Sequence, residues 1–248
     1  MIYQCFPFVK DMNNLFLEEP YTGFGLEPEV NPLLFVECPE LEDAGTRLQL
    51  TEYACFLWHW RNSDYDQDTW IGTTSHRQLE KFPFKFESKQ QVQDLLDKWG
   101  VVAWGQYELF VPDNGIQGRG VPISLHRQTE ICHPGLNEYM ADVLQRFGYS
   151  MPAKWKGTHT GFFANYWVMR KDLFNDFMEF SWPMVEWSLQ NVHGSDYYKM
   201  QTEYGTVSNQ KATGYFMERL FLVWYLLKGI VPYNPSCSEP LFHNPHYA

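Results

Sequence analysis

The chain has 248 residues, of which 44% are hydrophobic and 18% aromatic, and a formal net charge of −11 at pH 7. This hydrophobic content excludes a disordered chain and is sufficient for the core of one large domain, which we assign to residues 1–248. The acidic balance argues against a general nucleic-acid binder, whose binding surface is usually basic.

The N-terminal half alternates strand and helix patterns. "MIYQCFPF" predicts a first strand, and residues 11–48, rich in Pro, Gly and acidic residues, predict an irregular insertion. "TEYACFLWHWRN" predicts a helix with Thr51 as its N-cap, followed by the strand "TWIGTT". "SKQQVQDLLDKWG" predicts a helix that is capped by Ser88 and ends at Gly100.

The C-terminal half continues the alternation. "YELFVPDNG" predicts a strand, and "LNEYMADVLQRFG" a helix ending at Gly148. "GFFANYWVM" predicts one strand buried on both faces. The helix that follows is predicted to be interrupted at Pro183, since proline lacks the backbone N–H that a helix needs. "TGYFMERLFLVWYLLKG" predicts the most apolar helix, and residues 229–248 form a C-terminal extension.

Alternating strands and helices predict an α/β fold, a Rossmann-like, mostly parallel sheet flanked by helices. Ligands of such sheets bind outside the carboxyl ends of the strands. Three places are therefore candidates for a site: residues 75–78, residues 113–115, and the turn after Met169.

The cysteines and the apolar runs indicate the cellular compartment and whether the chain spans a membrane. The chain has 5 cysteines, widely scattered and without a C-x-x-C pair, so neither a zinc site nor a disulfide framework is indicated. The N-terminus carries no secretory signal, and the apolar run at 220–227 is far shorter than the roughly 20 residues of a membrane span. We therefore expect a cytoplasmic protein without a transmembrane segment.

Polar side chains arrive together at the end of "TWIGTT". Arg77 in such a turn can hold a phosphate or carboxylate through two parallel hydrogen bonds, with Ser75 adding a hydroxyl. The alternative is an ordinary surface arginine beside a partly buried His76. Asp113 and Asn114 can orient a sugar or a metal ion, or form a simple Asn-Gly turn.

Glu218 and Arg219 lie among apolar residues in "GYFMERLFLVWYLL". A carboxylate in such surroundings must be paired, hydrogen-bonded or exposed at a cleft, because burying it alone is costly. Two interpretations stay open: a structural ion pair, and a general base whose pKa is tuned by burial.

Five segments resemble those of a known family. They are an aromatic helix ("YACFLWHWRN"), a strand with a polar end ("WIGTTSHRQ"), an aliphatic strand ending at proline ("YELFVPDNG"), an aromatic strand with its helix ("FFANYWVMRKDLF"), and a Glu-Arg helix ("GYFMERLF"). Over about residues 50–228 the chain resembles short glycosyltransferase-like proteins of capsular-polysaccharide biosynthesis, catalogued as a domain of unknown function. Where that family has His-Tyr-Arg-Arg, this chain has Ser75-His76-Arg77-Gln78.

That family is similar to GT-A glycosyltransferases, which are single Rossmann-like domains. The resemblance implies an enzyme that moves a hexose or deoxyhexose from a nucleotide diphosphate, a UDP-sugar in the first instance, to a surface-glycan or polysaccharide acceptor. GT-A enzymes often hold a metal ion with Asp-x-Asp at the strand end where this chain has Ser75, His76 and Arg77. The resemblance implies that Arg77 offsets the diphosphate charge there, with Mn or Mg as an optional addition.

The resemblance also distributes roles among the candidate residues. Ser75, His76, Arg77, Asp113 and Asn114 would bind the donor, and Glu218 would be the catalytic base. Asn165, Trp167 and Arg219 would bind the acceptor or a sugar, with core packing an equal alternative for Trp167. The last residues of the chain could touch a lipid-linked acceptor at a membrane surface, although ordinary packing also accounts for them.

Two other classes of protein stay open. A carbohydrate-binding module without catalysis would account for the aromatic content. A glycoside hydrolase would need a second carboxylate at roughly 5–10 Å from Glu218, for which Asp113 and Glu203 are candidates.

Overall fold

The computed structural model describes residues 1–6, 15, 18–27, 38–62, 69–75, 78, 84–104, 106–108, 110–112, 120–162, 165–203 and 212–235. The predicted donor-site residues His76, Arg77, Asp113 and Asn114 lie outside these residues.

The described residues form nine strands, eight α-helices and three short 3₁₀ turns. The strands are β1 (Ile2–Phe6), β2 (Tyr21–Gly25), β3 (Trp70–Ser75), β4 (Val101–Ala103), β5 (Gln106–Glu108), β6 (Phe110–Pro112), β7 (Gly120–Pro122), β8 (Thr160–Phe162) and β9 (Trp167–Arg170). The helices are α1 (Ala44–Leu50), α2 (Tyr53–Arg61), α3 (Lys89–Trp99), α4 (Leu125–Cys132), α5 (Leu136–Arg146), α6 (Lys171–Asn191), α7 (Asp196–Glu203) and α8 (Ala212–Lys228). The 3₁₀ turns are Pro39–Glu42, Ala153–Lys156 and Val192–Gly194.

A five-stranded central sheet organises the fold. Its strand order is β2-β1-β3-β9-β4. β1 is parallel to β2 and β3, whereas β9 is antiparallel to both β3 and β4. Four strands therefore share one direction and β9 alone opposes them, which confirms the predicted α/β fold with a mostly parallel sheet. The pairs β5-β8 and β6-β7 form two small antiparallel sheets.

Each face of the central sheet carries a core. On one face, aromatic side chains of α2, α6 and α8 surround Trp167, which is fully buried. On the other face, Val92 and Leu96 of α3 belong to a smaller cluster with Ile2 and Val168. Gly72 permits close packing there, because a Cβ on it would lie 2.9 Å from the Val168 Cβ.

The capping and stop signals of two helices are confirmed. The Ser88 hydroxyl accepts a hydrogen bond from the Gln91 N–H at the start of α3, and Gly100 ends that helix with a φ of 73°. Gly148, with a φ of 81°, follows α5 as predicted. These signals are local, so the sequence alone could place them.

The predicted cap at Thr51 and the irregular insertion at 11–48 are wrong. Thr51 has a φ of 48° and closes α1, donating its N–H to the Arg47 carbonyl. α2 begins after Glu52, which makes no side-chain capping bond. The stretch taken as irregular also contains β2, which pairs with β1 at the sheet edge. Its sequence, YTGFG, has two glycines and therefore a weak strand pattern.

Each of the two strands predicted in the C-terminal half forms two strands in the structure. "YELFVP" contributes β5 and β6 to the small sheets, while the strand that follows α3 in the central sheet is the three-residue β4. "GFFANYWVM" splits into β8 and β9 at Asn165, which has a left-handed φ of 55°. Because β9 is antiparallel to β3, Arg170 pairs with Trp70. The turn after Met169 therefore lies at the amino edge of β3, away from Ser75, and is not part of the predicted crevice.

The predicted interruption at Pro183 is also wrong, because α6 runs unbroken through it. Trp182 and Met184 on either side are buried, whereas Pro183 is exposed. A proline inside a helix removes one backbone hydrogen bond. The apolar burial along both flanks outweighs that loss.

Candidate functional site

The carboxyl edge of β3 brings two predicted site residues together. Ser75 ends β3, and its hydroxyl lies 2.5 Å from the hydroxyl of Tyr166. Tyr166 and Asn165 immediately precede β9. Since β9 runs opposite to β3, its first residues lie beside the last residues of β3. The topology thus places Asn165 at the same edge as Ser75, although 90 positions separate them in sequence.

Trp104 joins this edge from β4. It directly follows β4, and its backbone N–H donates to the Tyr166 carbonyl at 2.9 Å. Its ring packs against Phe84 and Phe86, with centroids 6.0 and 5.2 Å away. Aromatic rings therefore border the polar groups of the edge.

Gln78, the fourth residue of the predicted polar turn, is buried and has a structural contact. Its amide Nε2 donates to the Phe84 carbonyl. Two residues further on, the Phe86 N–H donates to the Tyr21 hydroxyl at 2.7 Å. Burial raises the pKa of Tyr21 to about 12, so this phenol is neutral at pH 7. These bonds fasten the segment with Phe84 and Phe86 across one face of the sheet.

Several buried polar atoms near this edge, Gln78 Oε1 and Trp167 Nε1 among them, have no hydrogen-bond partner in the described part of the chain, and three others come from the ends of neighbouring strands. They are Thr74 Oγ1, Trp104 Nε1 and Asn165 Oδ1, a hydroxyl, a donor and an acceptor. Leaving such an atom unsatisfied costs about 1–3 kcal/mol, so native proteins keep few of them. Similar atoms occur elsewhere, for example on Trp58 and Thr129, but at this edge three come from neighbouring strand ends. A polar ligand at the edge would supply the missing partners.

Glu218 and Arg219 form the ion pair that their apolar surroundings require. Arg219 Nη1 lies 3.0 Å from Glu218 Oε2, and Arg219 Nη2 donates to Gln128 Oε1 of α4 at 3.2 Å. The Glu218 side chain is 29% exposed and that of Arg219 only 2%. Burial lowers the pKa of Arg219, while the charge of Glu218 opposes that effect. The carboxylate is thus accessible, and the guanidinium beneath it is held on two sides.

α8 packs against the first residue of β9. Trp167, the first residue of β9, stacks on Phe221 with 5.8 Å between centroids. Glu218 precedes Phe221 by about one turn. The opposite end of α8 is tied to the start of α6 by Lys228, whose Nζ lies 2.6 Å from Asp176 Oδ1.

The predicted sugar-binding residues fall into different surroundings. Asn165 is buried at the polar edge with its unsatisfied Oδ1. Trp167 is in the core, 4.7 Å from Phe56 between ring centroids, which matches the packing alternative. Arg219 is almost fully buried and contacts Glu218, so it reaches the surface only through that carboxylate.

An aromatic pair beside Glu218 was not predicted from the sequence. Tyr215, three positions before Glu218 on α8, stacks on His133 with 3.8 Å between centroids. Burial and the neighbouring Glu218 raise the pKa of Tyr215. His133 lies 82 positions away, and no local pattern connects the two rings. Only the packing of α4 against α8 brings them together.

The described residues hold no group of three or more His, Cys, Asp or Glu side chains suited to a metal ion. Within the described ranges, Cys5, Cys38, Cys55 and Cys132 form no disulfide bond. Within the described ranges no helix has the length and apolar content to cross a membrane.

Comparisons with known proteins give one distant likeness. No family model matches the chain, and no curated protein matches it. Among solved structures, the chain is similar to the bifunctional glycosyltransferase WbbM in its apo form, with 13% identity and a TM-score of 0.48. The match covers 94% of this chain and 43% of WbbM, so the chain spans less than half of that protein's length.

Proposed function

We propose that the protein is a glycosyltransferase that moves a sugar from a nucleotide diphosphate donor to a glycan acceptor. The observation that supports this most directly is the cluster of unsatisfied buried atoms, Thr74 Oγ1, Trp104 Nε1 and Asn165 Oδ1, at the carboxyl edge of the sheet. Strands of this kind of sheet bind ligands at that edge. Donors and acceptors mixed with aromatic rings suit a nucleoside or a sugar, which offers both kinds of polar group.

The donor is assigned to the carboxyl edge. Ser75 and Asn165 would contact its polar groups, and His76 and Arg77, which follow Ser75 in sequence, would meet the diphosphate. A guanidinium there would stabilise the negative charge that develops on the departing phosphate. Asp113 and Asn114 would complete the donor site. A UDP-sugar is the donor class that we propose first, with a surface polysaccharide as the acceptor.

Glu218 is assigned as the catalytic base. Its carboxylate would take the proton of the acceptor hydroxyl as that oxygen bonds to the anomeric carbon and the bond from this carbon to the phosphate oxygen breaks. The nucleoside diphosphate leaves with the bonding electrons. Arg219 acts as a positioning residue, because its buried guanidinium holds one carboxylate oxygen at 3.0 Å.

A thermal-shift panel tests the donor site. UDP, GDP, CMP and dTDP are each added with and without manganese, since a ligand that binds only the folded state must raise the melting temperature. We expect a shift with UDP that falls strongly in Asn165→Ala, while Asn191→Ala, on the exposed end of α6, keeps it. No shift with any nucleotide would contradict the transferase and favour a carbohydrate-binding module.

The assignment of Glu218 is tested by transfer rates. Glu218→Gln keeps the size of the side chain and an oxygen for Arg219 but removes the basic carboxylate. General-base catalysis contributes about 10²–10⁴-fold, so we expect kcat to fall by about that factor with the UDP shift retained. Glu179→Gln, an exposed carboxylate of α6, is the control and should keep full activity. An unchanged kcat in Glu218→Gln would remove Glu218 from the catalytic role.

A further inference from the structure

We infer that the stacked rings of Tyr215 and His133 form an aromatic shelf beside Glu218 that binds the sugar ring of the acceptor. This inference rests on the proposed function and extends it, because it names the residues that recognise the acceptor and the chemistry they recognise. The occupant is a single sugar ring presenting its C–H face to an aromatic surface and a hydroxyl to the carboxylate.

The helix places the shelf and the carboxylate side by side. Tyr215 and Glu218 are three positions apart on α8, and residues at this spacing lie next to each other on one helix face. Their proximity also shows in the pKa of Tyr215, which burial raises first and the charge of Glu218 raises further. A ring lying on Tyr215 would therefore have Glu218 at its border.

His133 supplies a fixed base for the shelf. It is 9% exposed, and its ring lies 3.8 Å from the Tyr215 ring at an interplanar angle of 26°. Its backbone N–H donates to the Thr129 carbonyl, and its own carbonyl accepts from the Leu136 N–H. His133 is thus anchored between α4 and α5. Tyr215 is thereby held in one orientation, and the residue is partly exposed.

The chemistry of the shelf fits a sugar better than a purely apolar ligand. An aromatic ring offers a flat apolar surface to the C–H groups of a sugar. The Glu218 carboxylate, 29% exposed, offers oxygens for hydroxyl groups. The Tyr215 hydroxyl makes no hydrogen bond within the described part of the chain, and its raised pKa keeps it a donor at pH 7. Such a mixture of one flat ring and few oriented polar groups is typical of small-molecule sites.

The test measures binding of methyl glycosides by saturation-transfer NMR. The probes are the methyl glycosides of glucose, galactose, mannose and rhamnose, added to the full chain with and without UDP. Tyr215→Ala removes the shelf, and Tyr215→Phe keeps its surface. The control is Tyr149→Ala, since Tyr149 is 40% exposed and packs on Phe180 with 4.9 Å between centroids.

We expect at least one glycoside to bind the wild type and Tyr149→Ala, and its dissociation constant to rise about tenfold in Tyr215→Ala. Tyr215→Phe should change it less than threefold. In the same variants the UDP thermal shift should stay unchanged, because the donor is assigned to the carboxyl edge of the sheet and not to the shelf. Circular dichroism of each variant confirms that it is folded.

Equal glycoside binding by wild type and Tyr215→Ala, or no binding of any glycoside, overturns the shelf whatever the nucleotide data show. Glycoside binding that depends on Tyr215 without any nucleotide shift supports the shelf and contradicts the transferase. The two proposals therefore fail separately.

Discussion

Arg219 is the residue whose surroundings constrain its role most tightly. The guanidinium is 2% exposed and is held by Glu218 on the same helix and by Gln128 on α4. A buried charge without its partner is costly, so the pair must be kept or lost together. The structural interpretation and the catalytic one, both left open by the sequence, are compatible here, because an arginine that stabilises the helix contact also orients the carboxylate.

The first prediction concerns this arginine. Arg219→Met leaves Glu218 and Gln128 without their donor, and we expect a loss of about 1–3 kcal/mol because the partly exposed carboxylate can regain water. For a domain of this size each kcal/mol lowers the melting temperature by about 2–4 °C. Arg219→Lys keeps the charge and should recover part of both stability and kcat, with the KM for the donor unchanged.

Its control is Arg146→Met. Arg146 is 53% exposed and pairs with Asp142 on the surface of α5. Exposed pairs contribute about 0–1 kcal/mol. Equal melting temperatures for the two methionine variants would show that the burial of Arg219 does not increase the contribution of its ion pair to stability. A kcat that Arg219→Lys fails to improve over Arg219→Met would argue against a positioning role through its charge.

Single residues were predictable from the sequence where their signal was local. Ser88 and Gly100 are placed by cap and stop chemistry within a few positions. Glu218 was recognised because a carboxylate in an apolar helix must have a partner. The polar atoms of Thr74 and Trp104 could not be recognised, since only the pairing of distant strands shows that they are buried together.

At the level of elements, α6 shows how tertiary packing overrides a local breaker. Pro183 removes the hydrogen bond to the carbonyl of Glu179, four positions earlier, yet the helix is unbroken over its 21 residues. Its flanks bury Phe177, Trp182 and Val185 in the core. The sequence pattern predicted an interruption at the proline, whereas in the folded chain the buried surface of these residues keeps the helix continuous.

The second prediction follows from that conflict. Pro183→Ala restores the missing backbone donor on the exposed side of α6, where no side chain has to move, and should raise stability by about 1–3 kcal/mol. Thermal unfolding measures the gain as an increase in melting temperature. Glu186→Ala, another exposed position of the same helix, is expected to change it little. A lower melting temperature for Pro183→Ala would show that the helix geometry at this point depends on proline.

The direction of each strand in the sheet could not be predicted from the pattern of the strand itself. The sequence correctly indicated buried strands in "TWIGTT" and "YWVM", but periodicity carries no information about orientation. β9 enters the sheet antiparallel, which moves the turn after Met169 to the amino edge and brings Asn165 to the carboxyl edge instead. Ser75 therefore lies at the carboxyl edge, as the strand pattern predicts, whereas the turn after Met169 does not, for a topological reason.

Across the whole molecule, the two edges of the sheet differ in how their polar groups are satisfied. At the amino edge, backbone bonds join Gly72 to Met1, Ile2 to Pro20 and Lys171 to Thr69. At the carboxyl edge, buried side-chain atoms of Thr74, Trp104 and Asn165 lack partners. These unsatisfied side-chain atoms lie at the edge where ligands of such sheets bind.

The last prediction concerns the buried tyrosines, which make the whole fold sensitive to alkali. Burial raises the pKa of Tyr21 and of Tyr139 from 10.0 to about 12, and raises those of Tyr53, Tyr197 and Tyr225 as well. The unfolded chain loses these protons near pH 10, before the folded chain does, so the folded state is fully stabilised below pH 10 and loses that stabilisation as the pH rises toward 12. We expect the melting temperature to be nearly constant from pH 8 to 9.5 and then to fall steeply. Tyrosinate absorbance at 295 nm should increase together with the loss of helical ellipticity.

Tyr225→Phe removes one of these phenols, and the fall in melting temperature above pH 10 should then be less steep. A melting temperature that stays level up to pH 11.5 would mean that these phenols are accessible to solvent. That result would contradict their packing in the cores on the two faces of the sheet.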